Sequence, residues 1–192
     1  MTDAAARPRN AQATRRAILD QACRLFAQHG YRATTVKAVA AAAAVSPNLI
    51  TRYFGGKEGL FLAATQTELR LDPVFAGPLE SLGARLADSI VRRWSGTDGE
   101  DPLLVLQRAS GERPEAAEAL ARFLDVQSLA PLVRRLRDHG VDEGEAAARA
   151  AAVDAFVLGV STRRRVLRDD LGDPQALRRW LAGTIQRLVD AP

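Results

Sequence analysis

Residues 34–60 read TTVKAVAAAAAVSPNLITRYFGGKEGL, a pattern that predicts two short helices in close succession. Thr35 is a suitable N-cap for a first helix over 36–43, because its hydroxyl can accept a hydrogen bond from a free amide of the first turn. Ser46 can cap a second helix, and Pro47 fits the turn that follows, where a backbone N–H has no helical partner. The second helix is expected to end at the glycine pair.

The two predicted helices are joined only by Ala44 and Val45, which is the spacing of a helix-turn-helix. In that motif the first helix supports the second, and the N-terminal half of the second enters the major groove of DNA. Asn48 can bond an adenine edge and Arg52 a guanine edge, while hydroxyls, lysines and free helix amides suit phosphate oxygens. The alternative is a small helical bundle whose polar face is only solvated. The predicted DNA contacts are Thr35, Lys37, Ser46, Pro47, Asn48, Leu49, Thr51, Arg52, Tyr53 and Lys57.

The positive charge of the chain is concentrated around this motif. Residues 1–60 contain nine Arg or Lys and three acidic residues, a net charge of +6, whereas the other 132 residues contain 18 basic and 20 acidic side chains. A basic segment on a near-neutral body favours a module that binds a polyanion. The alternative is that arginine merely solvates an alanine-rich protein.

Apolar residues recur at helical spacing along the rest of the chain, and Ile, Thr, Tyr and Phe are too sparse to favour strands. We therefore predict an all-α fold of about nine helices with no internal repeat. Their expected positions are about 14–29, 36–43, 46–54, 57–71, 79–94, 102–110, 114–139 with a bend near Ser128–Pro131, 142–168 and 174–189.

From Arg15 to Leu60 the sequence resembles the N-terminal domain of the tetracycline-repressor (TetR) family along the whole length of that domain. The resemblance implies a dimeric repressor with a three-helix DNA-binding head and a helical body. Its implied partners are a pseudo-palindromic operator, a second copy of the chain and an unidentified small-molecule effector. We accordingly expect a flexible basic arm over 1–12, a DNA-binding domain over 13–56 and an effector-binding and dimerisation domain over 57–192. The shared positions are Ile18-Leu19, Ala22, Leu25-Phe26, Gly30-Tyr31, Thr34 to Val36, Val39-Ala40, Ala43, Val45-Ser46, Phe54, Lys57-Glu58 and Leu60.

Three positions depart from the family pattern within the same stretch. Ala44 replaces the usual glycine of the turn, which must therefore accommodate a Cβ atom. Thr51 replaces the usual tyrosine, a phosphate contact, and reaches less far. Tyr53 replaces a frequent histidine. The resemblance therefore predicts DNA binding without specifying the operator sequence. The alternative function is that of a helical ligand-binding or interaction protein without specific operator binding.

The last two predicted helices offer a face for a second copy of the chain. At about 100° per residue, one narrow side of the 142–168 helix carries only small residues, which permit close approach of another helix. Two such helices from each subunit would form a four-helix, two-fold interface, as the resemblance also implies. The alternative is ordinary packing within one chain. The predicted interface residues are Ala148, Ala152, Ala155, Gly159, Thr162, Leu177, Leu181, Thr184, Ile185 and Leu188.

An effector pocket is predicted among the four helices at 79–94, 102–110, 114–139 and 142–168. Such pockets are mostly apolar and contain a few well-placed polar groups. The alternative is that the aromatic residues of these helices belong to the core. The candidate lining residues are Trp94, Leu104, Phe123, Gln127 and Phe156, with Gln107 or Arg108 as polar anchors.

The sequence offers little for enzyme chemistry. His29 and His139 are far apart, and neither a metal-ligand cluster nor the spacing of a catalytic triad is evident. The stretch GGKEG lacks the Ser or Thr that follows the lysine of a phosphate-binding loop. We therefore predict no catalytic activity, cofactor or metal. The lone Cys23, the lack of a signal peptide and the lack of a membrane-length apolar run favour a cytoplasmic protein.

Overall fold

The computed structural model describes residues 6–65, 71–95 and 101–190, without the side chains of 6–10 and 72. The regular structure of these ranges is helical and contains no strand, so the predicted all-α fold is confirmed. The α-helices are α1 (Ala6–Ala33), α2 (Val36–Ala42), α3 (Pro47–Phe54), α4 (Lys57–Thr65), α5 (Asp72–Phe75), α6 (Leu82–Ser95), α7 (Pro102–Ser110), α8 (Pro114–Leu124), α9 (Ala130–Arg137), α10 (Glu143–Ser161) and α11 (Pro174–Asp190).

The described residues contain more helices than the nine or so predicted. One addition is α5, a single turn between the predicted 57–71 and 79–94 helices. The predicted 114–139 helix is divided into α8 and α9 by a π-helical turn over Asp125–Leu129, close to the expected bend. The predicted 142–168 helix ends as α10 and continues only as a second π-helical turn, over Thr162–Val166.

The N-terminal segment differs from the expected flexible arm. Helix α1 already begins at Ala6, so residues 6–12 are helical, and only residues 1–5 of the predicted arm lie outside the described residues. The end of the predicted 57–71 helix is also only partly described. Helix α4 ends at Thr65, and residues 66–70 lie outside the described ranges.

The chain divides into two compact units whose membership differs from the predicted domains. One unit contains α1 to α4 and α7, and the other contains α5, α6 and α8 to α11. The predicted boundary at Lys57 assigned α4 and α7 to the body. Both helices instead pack against α1, because their apolar sides cover the core of the first unit.

The core of the first unit is organised around α1. Ile18, Ala22 and Phe26 follow one another on one side of this helix and are at most 1% exposed. The Phe26 ring meets the edge of Phe61 in α4, with ring centres 5.2 Å apart. Helix α2 contacts α1, and α3 contacts both α2 and α4, so this core supports the pair of short helices.

The C-terminal end of α1 is held by hydrogen bonds to its carbonyl groups. Gly30 interrupts the helix with φ 76° and ψ 175°, a conformation that strains residues carrying a Cβ atom. The hydroxyl of Thr34 donates to the Gly30 carbonyl at 2.8 Å. Arg108 of α7 donates from Nη1 to the carbonyl of Gln28 at 3.1 Å and also to that of Ala27. These donors satisfy carbonyls that lack a partner within the helix.

The second unit is built on the close approach of α6 and α11. A Cβ atom at Gly83 of α6 would lie 2.4 Å from the carbonyl oxygen of Ala182 in α11, so only glycine fits at this crossing. The Gly83 amide also donates to Gln186 Oε1 at 2.9 Å. Helices α9 and α10 complete the apolar core. Its buried residues include Leu82, Leu86, Ile90, Leu132, Leu136, Val153, Leu177, Leu181 and Ile185.

Candidate nucleic-acid interface

Helix α2 is capped at its start, buried along one side and followed by a closed turn. The Thr35 hydroxyl accepts a hydrogen bond from the Ala38 amide at 3.1 Å and caps the helix. Val39 and Ala40 are 1% exposed, which places this side of α2 in the core of the first unit. The turn that follows is closed by the Val45 amide, which donates to the Ala40 carbonyl at 2.9 Å.

Helix α3 presents a polar outer side and an apolar inner side. The Ser46 hydroxyl accepts from the Asn48 amide at 3.3 Å, which begins the helix as predicted. Asn48, Thr51 and Arg52 are exposed and lie at positions i, i+3 and i+4, which share one face of a helix. Gly55 ends α3 in the left-handed conformation, with φ 76° and ψ 4°. The inner side consists of the buried residues Ile50 and Phe54.

The remaining predicted DNA contacts at the starts of α2 and α3 and within α3 differ in exposure. Thr35, Lys37, Ser46 and Pro47 are exposed, whereas Leu49 and Tyr53 are half-buried. The hydroxyl oxygens of Thr35 and Ser46 serve as helix caps, and both residues remain exposed. Their contact with DNA stays a prediction.

Lys57, the predicted phosphate contact at the start of α4, interacts with the end of α1. Its ammonium donates to the Arg32 carbonyl at 3.2 Å and lies 4.3 Å from the centre of the Tyr31 ring. Lys57 therefore fastens α4 to α1, since a cation over an aromatic face is attracted to the ring. Lys57 as a whole is half-buried, and its contact with a phosphate stays a prediction.

Arg15 is a further basic residue of this surface, and it was not among the predicted DNA contacts. Its guanidinium lies over the Phe54 ring, 5.0 Å from the ring centre, and its side chain is exposed. Arg15 thus places a positive charge beside the C-terminal end of α3, where it also complements the helix dipole. The sequence places Arg15 in the first helix, three residues before the buried Ile18. Its contact with α3 forms only when the chain folds, so the helical pattern did not reveal it.

The candidate pocket residues are divided between the two units. Leu104 is buried in α7, and Gln107 and Arg108 also belong to α7, so these three residues are part of the first unit. Arg108 binds the end of α1, as described above. The half-buried residues Trp94, Phe123, Gln127 and Phe156 lie in the second unit.

The structure divides the predicted dimer residues into exposed and buried groups. Leu177, Leu181 and Ile185 are at most 6% exposed, because this side of α11 packs into the core of the same chain. These three residues therefore offer no surface to a partner, and their assignment is corrected. Thr162, Thr184 and Leu188 are half-buried, whereas Ala148, Ala152, Ala155 and Gly159 are exposed.

Trp180 of α11 is an apolar surface residue that the prediction omitted. It is 50% exposed and packs against the Phe156 ring of α10 with ring centres 5.3 Å apart. It follows Arg178 and Arg179 and precedes the buried Leu181, an order that gave no indication of a surface role. The exposed tryptophan enlarges the apolar surface of α11.

Comparison with known proteins agrees with this architecture. Residues 18–64 match the family model described as bacterial regulatory proteins of the tetR family, and residues 80–189 match the tetracyclin repressor-like C-terminal domain. The HTH-type transcriptional repressor AcnR of Corynebacterium glutamicum is 31% identical over 136 residues, which cover 69% of this chain and 68% of AcnR.

Two solved structures share the fold over most of both chains. The fatty acid degradation regulator FadR from Bacillus halodurans superimposes with a TM-score of 0.71 at 21% identity, covering 91% of this chain and 94% of FadR. The multidrug binding protein EbrR, solved in complex with proflavin, has a TM-score of 0.58 at 24% identity and covers 91% of this chain and 99% of EbrR.

The fold and the two short helices define a helix-turn-helix DNA-binding protein. With family models matching both its N-terminal and its C-terminal parts, the chain belongs to the TetR family of transcriptional regulators. AcnR is described as a transcriptional repressor, and the two family models cover both parts of the chain, so the family resemblance predicted from residues 15–60 is confirmed. Among the described helices, none has the length and apolar run that a membrane crossing requires.

Proposed function

We propose that the chain represses transcription by binding a pseudo-palindromic operator as a homodimer, with α3 of each protomer in the major groove of one half-site. The outer side of α3 carries this proposal, because Asn48, Thr51 and Arg52 are exposed there together. An amide bonds both edge groups of adenine, and a guanidinium bonds both acceptors of guanine. Capping by Ser46 and burial of Ile50 fix the orientation of these side chains.

The exposed side of α10 supports the homodimer. Ala148, Ala152, Ala155 and Gly159 leave a surface without long side chains, which lets a helix of a second copy approach closely. The half-exposed Trp180 adds apolar area that burial would remove from water. A homodimer would offer one copy of α3 to each of the two half-sites of a pseudo-palindrome.

A small molecule bound in the second unit would regulate the affinity for DNA. The effector must bind the conformation that does not fit both half-sites more tightly than the one that does, because equal affinity would shift no population. The shared fold with EbrR, whose structure contains proflavin, supports a small-molecule effector. Trp94, Phe123, Gln127 and Phe156 are the lining candidates within this unit.

A gel-shift titration against the DNA that flanks the chain's own gene tests operator binding. We expect saturable, sequence-selective binding that weakens steeply with salt. Asn48→Ala combined with Arg52→Ala should lower specific affinity at least about 100-fold, because two base contacts are lost, while the circular dichroism spectrum stays helical. Binding that ignores sequence at moderate salt would contradict the proposal.

The matched control is Glu118→Ala combined with Arg122→Ala. These residues have the same i, i+4 spacing and are exposed on α8 in the second unit. The control should bind the operator as the unchanged chain does. If it weakened binding as much as the α3 pair, the loss could not be assigned to base contacts.

A further inference from the structure

Two arginines of the second unit converge on the end of α5 and the short loop that follows it. Arg85 of α6 donates from Nε to the Val74 carbonyl, and Arg135 of α9 donates from Nη2 to the Gly77 carbonyl, both at 2.8 Å. A Cβ atom at Gly77 would lie 2.6 Å from Cζ of Arg85, so the loop backbone rests directly on that guanidinium. Two positive groups therefore face the same few residues.

No acidic side chain of the described residues forms an ion pair with either of these two arginines. Within the described part of the chain, neither guanidinium has a carboxylate oxygen within 4.0 Å. Burial, and then the positive charge of Arg135, lower the pKa of Arg85, and the more distant Glu80 acts in the opposite direction. Like charges held together in a partly buried place are costly, so an added negative charge would be stabilising there.

Each guanidinium also keeps one buried donor without an acceptor. Among the described residues, Arg85 Nη2 and Arg135 Nε are buried atoms that form no hydrogen bond. Loss of hydration without a replacement acceptor is unfavourable, and more so for a charged group. The two donors belong to side chains that both meet Gly77, and of these two arginines it is Arg135 that lines the adjoining groove.

A shallow groove of about 300 Å³ adjoins Arg135. Phe75, Ala76 and Pro131 supply apolar surface, Arg134 supplies a further positive charge, and Asp138 is the one carboxylate among the described lining residues. Asp138 is exposed, so its charge is well hydrated. The groove therefore suits a molecule with an anionic group and a small apolar body.

We propose that Arg85 and Arg135 bind the oxyanion of a small organic acid, whose apolar part occupies the groove beside Phe75 and Pro131. Charge-assisted hydrogen bonds from guanidinium groups favour carboxylates and phosphates. The site lies within the second unit and uses none of the pocket residues predicted from the sequence. As a regulatory site it rests on the proposed function, whereas ligand binding itself does not.

Titration of the ¹⁵N-labelled full chain with sodium benzoate tests the site. Ionic strength is held constant with chloride, and the Nε–H signals of Arg85 and Arg135 are followed by NMR. We expect both signals to shift saturably, and Arg85→Met or Arg135→Met to weaken binding at least about tenfold, the loss of one charge-assisted contact. Arg122→Met, an exposed arginine of α8 in the same unit, should bind benzoate as before.

Wild-type Nε–H signals that do not respond to benzoate or to inorganic phosphate would overturn the proposal, as would equal weakening by all three substitutions. A saturable response to phosphate alone would support the oxyanion site and assign it to a phosphate group. If the methionine variants fail to fold, Arg85→Lys and Arg135→Lys retain the charge and should still weaken benzoate binding, because the planar fork is lost. The titration contains no DNA, so its result is independent of operator binding.

Discussion

Ala44 occupies the turn between α2 and α3 with φ 53°, in the left-handed region that costs a residue with a Cβ atom about 1–2 kcal/mol. Its side chain is exposed, so glycine loses no packing there. We expect Ala44→Gly to raise the free energy of unfolding by roughly 0.5–1 kcal/mol, since the freedom of glycine in the unfolded chain offsets part of the gain. Urea unfolding measures the change.

The control for this turn is Ala41→Gly, at an exposed position inside α2. Ala41 is not among the residues with positive φ, so glycine relieves no strain there. Because glycine forms helices less well than alanine, this variant should be about 1 kcal/mol less stable. The two substitutions are expected to change the free energy of unfolding in opposite directions. A destabilised Ala44→Gly variant would show that the alanine Cβ contributes something other than strain.

Asp154 of α10 gives the stability a dependence on pH. Burial raises the pKa of this carboxyl above 3.8, and the hydrogen bond from Ser128 partly opposes the rise. The folded state therefore binds the proton more tightly than the unfolded chain. Below the pKa of Asp154 in the unfolded chain, this carboxyl costs the folded state no stability. The loss of stability grows as the pH rises towards the higher pKa of the folded state and is complete above it.

Asp154→Asn removes this charge and retains an oxygen that can accept from Ser128. We expect the variant to melt at a higher temperature than the unchanged chain at about pH 7, and the difference to shrink towards about pH 4. Scanning calorimetry across this range measures both midpoints. A difference that grew towards acid would mean that the folded-state pKa is lowered.

At the scale of helices, α10 is expected to determine the oligomeric state. Ala155 lies on its exposed small-residue side, so Ala155→Arg would place a long charged side chain between two closely packed helices. We expect monomers or aggregates in light scattering and much weaker operator binding. Ala121→Arg, at an exposed position of α8, is the control that should remain dimeric. An intact Ala155→Arg dimer would remove this side of α10 from the interface.

The helices whose ends are set by adjacent residues were predictable from the sequence. Thr35 and Ser46 cap α2 and α3 as expected, because a capping bond spans only two or three residues. The partner of an apolar helix side was not predictable in the same way. The leucines of α11 gave a clear face, but the sequence does not indicate that Gly83 lets α6 cover it. Nor did the pattern of α7 reveal that Arg108 reaches α1.

For the whole molecule, the salt dependence of operator affinity reports how many phosphates are contacted. Lys37 is exposed on α2, and a dimer would present it twice. We expect Lys37→Ala to reduce the slope of log affinity against log salt by roughly 2, because each lost contact removes about 0.9. Its effect should be similar for operator and unrelated DNA. An unchanged slope, like that expected for Arg122→Ala, would show that Lys37 contacts no phosphate.

Helix α7 belongs to the first unit although it follows α5 and α6 in the chain. Recombination between related genes therefore cannot exchange the whole first unit as one continuous segment. A crossover just after α4 would pair a foreign head with a resident α7. Leu104 and Leu106 of α7 are 1% exposed, and Arg108 binds carbonyls at the end of α1, so a mismatched α7 would open this core. Changing the operator by substitutions within α3 avoids that mismatch. The outer side of α3 is therefore free to diverge in sequence, whereas the contacting residues of α1, α4 and α7 must change together.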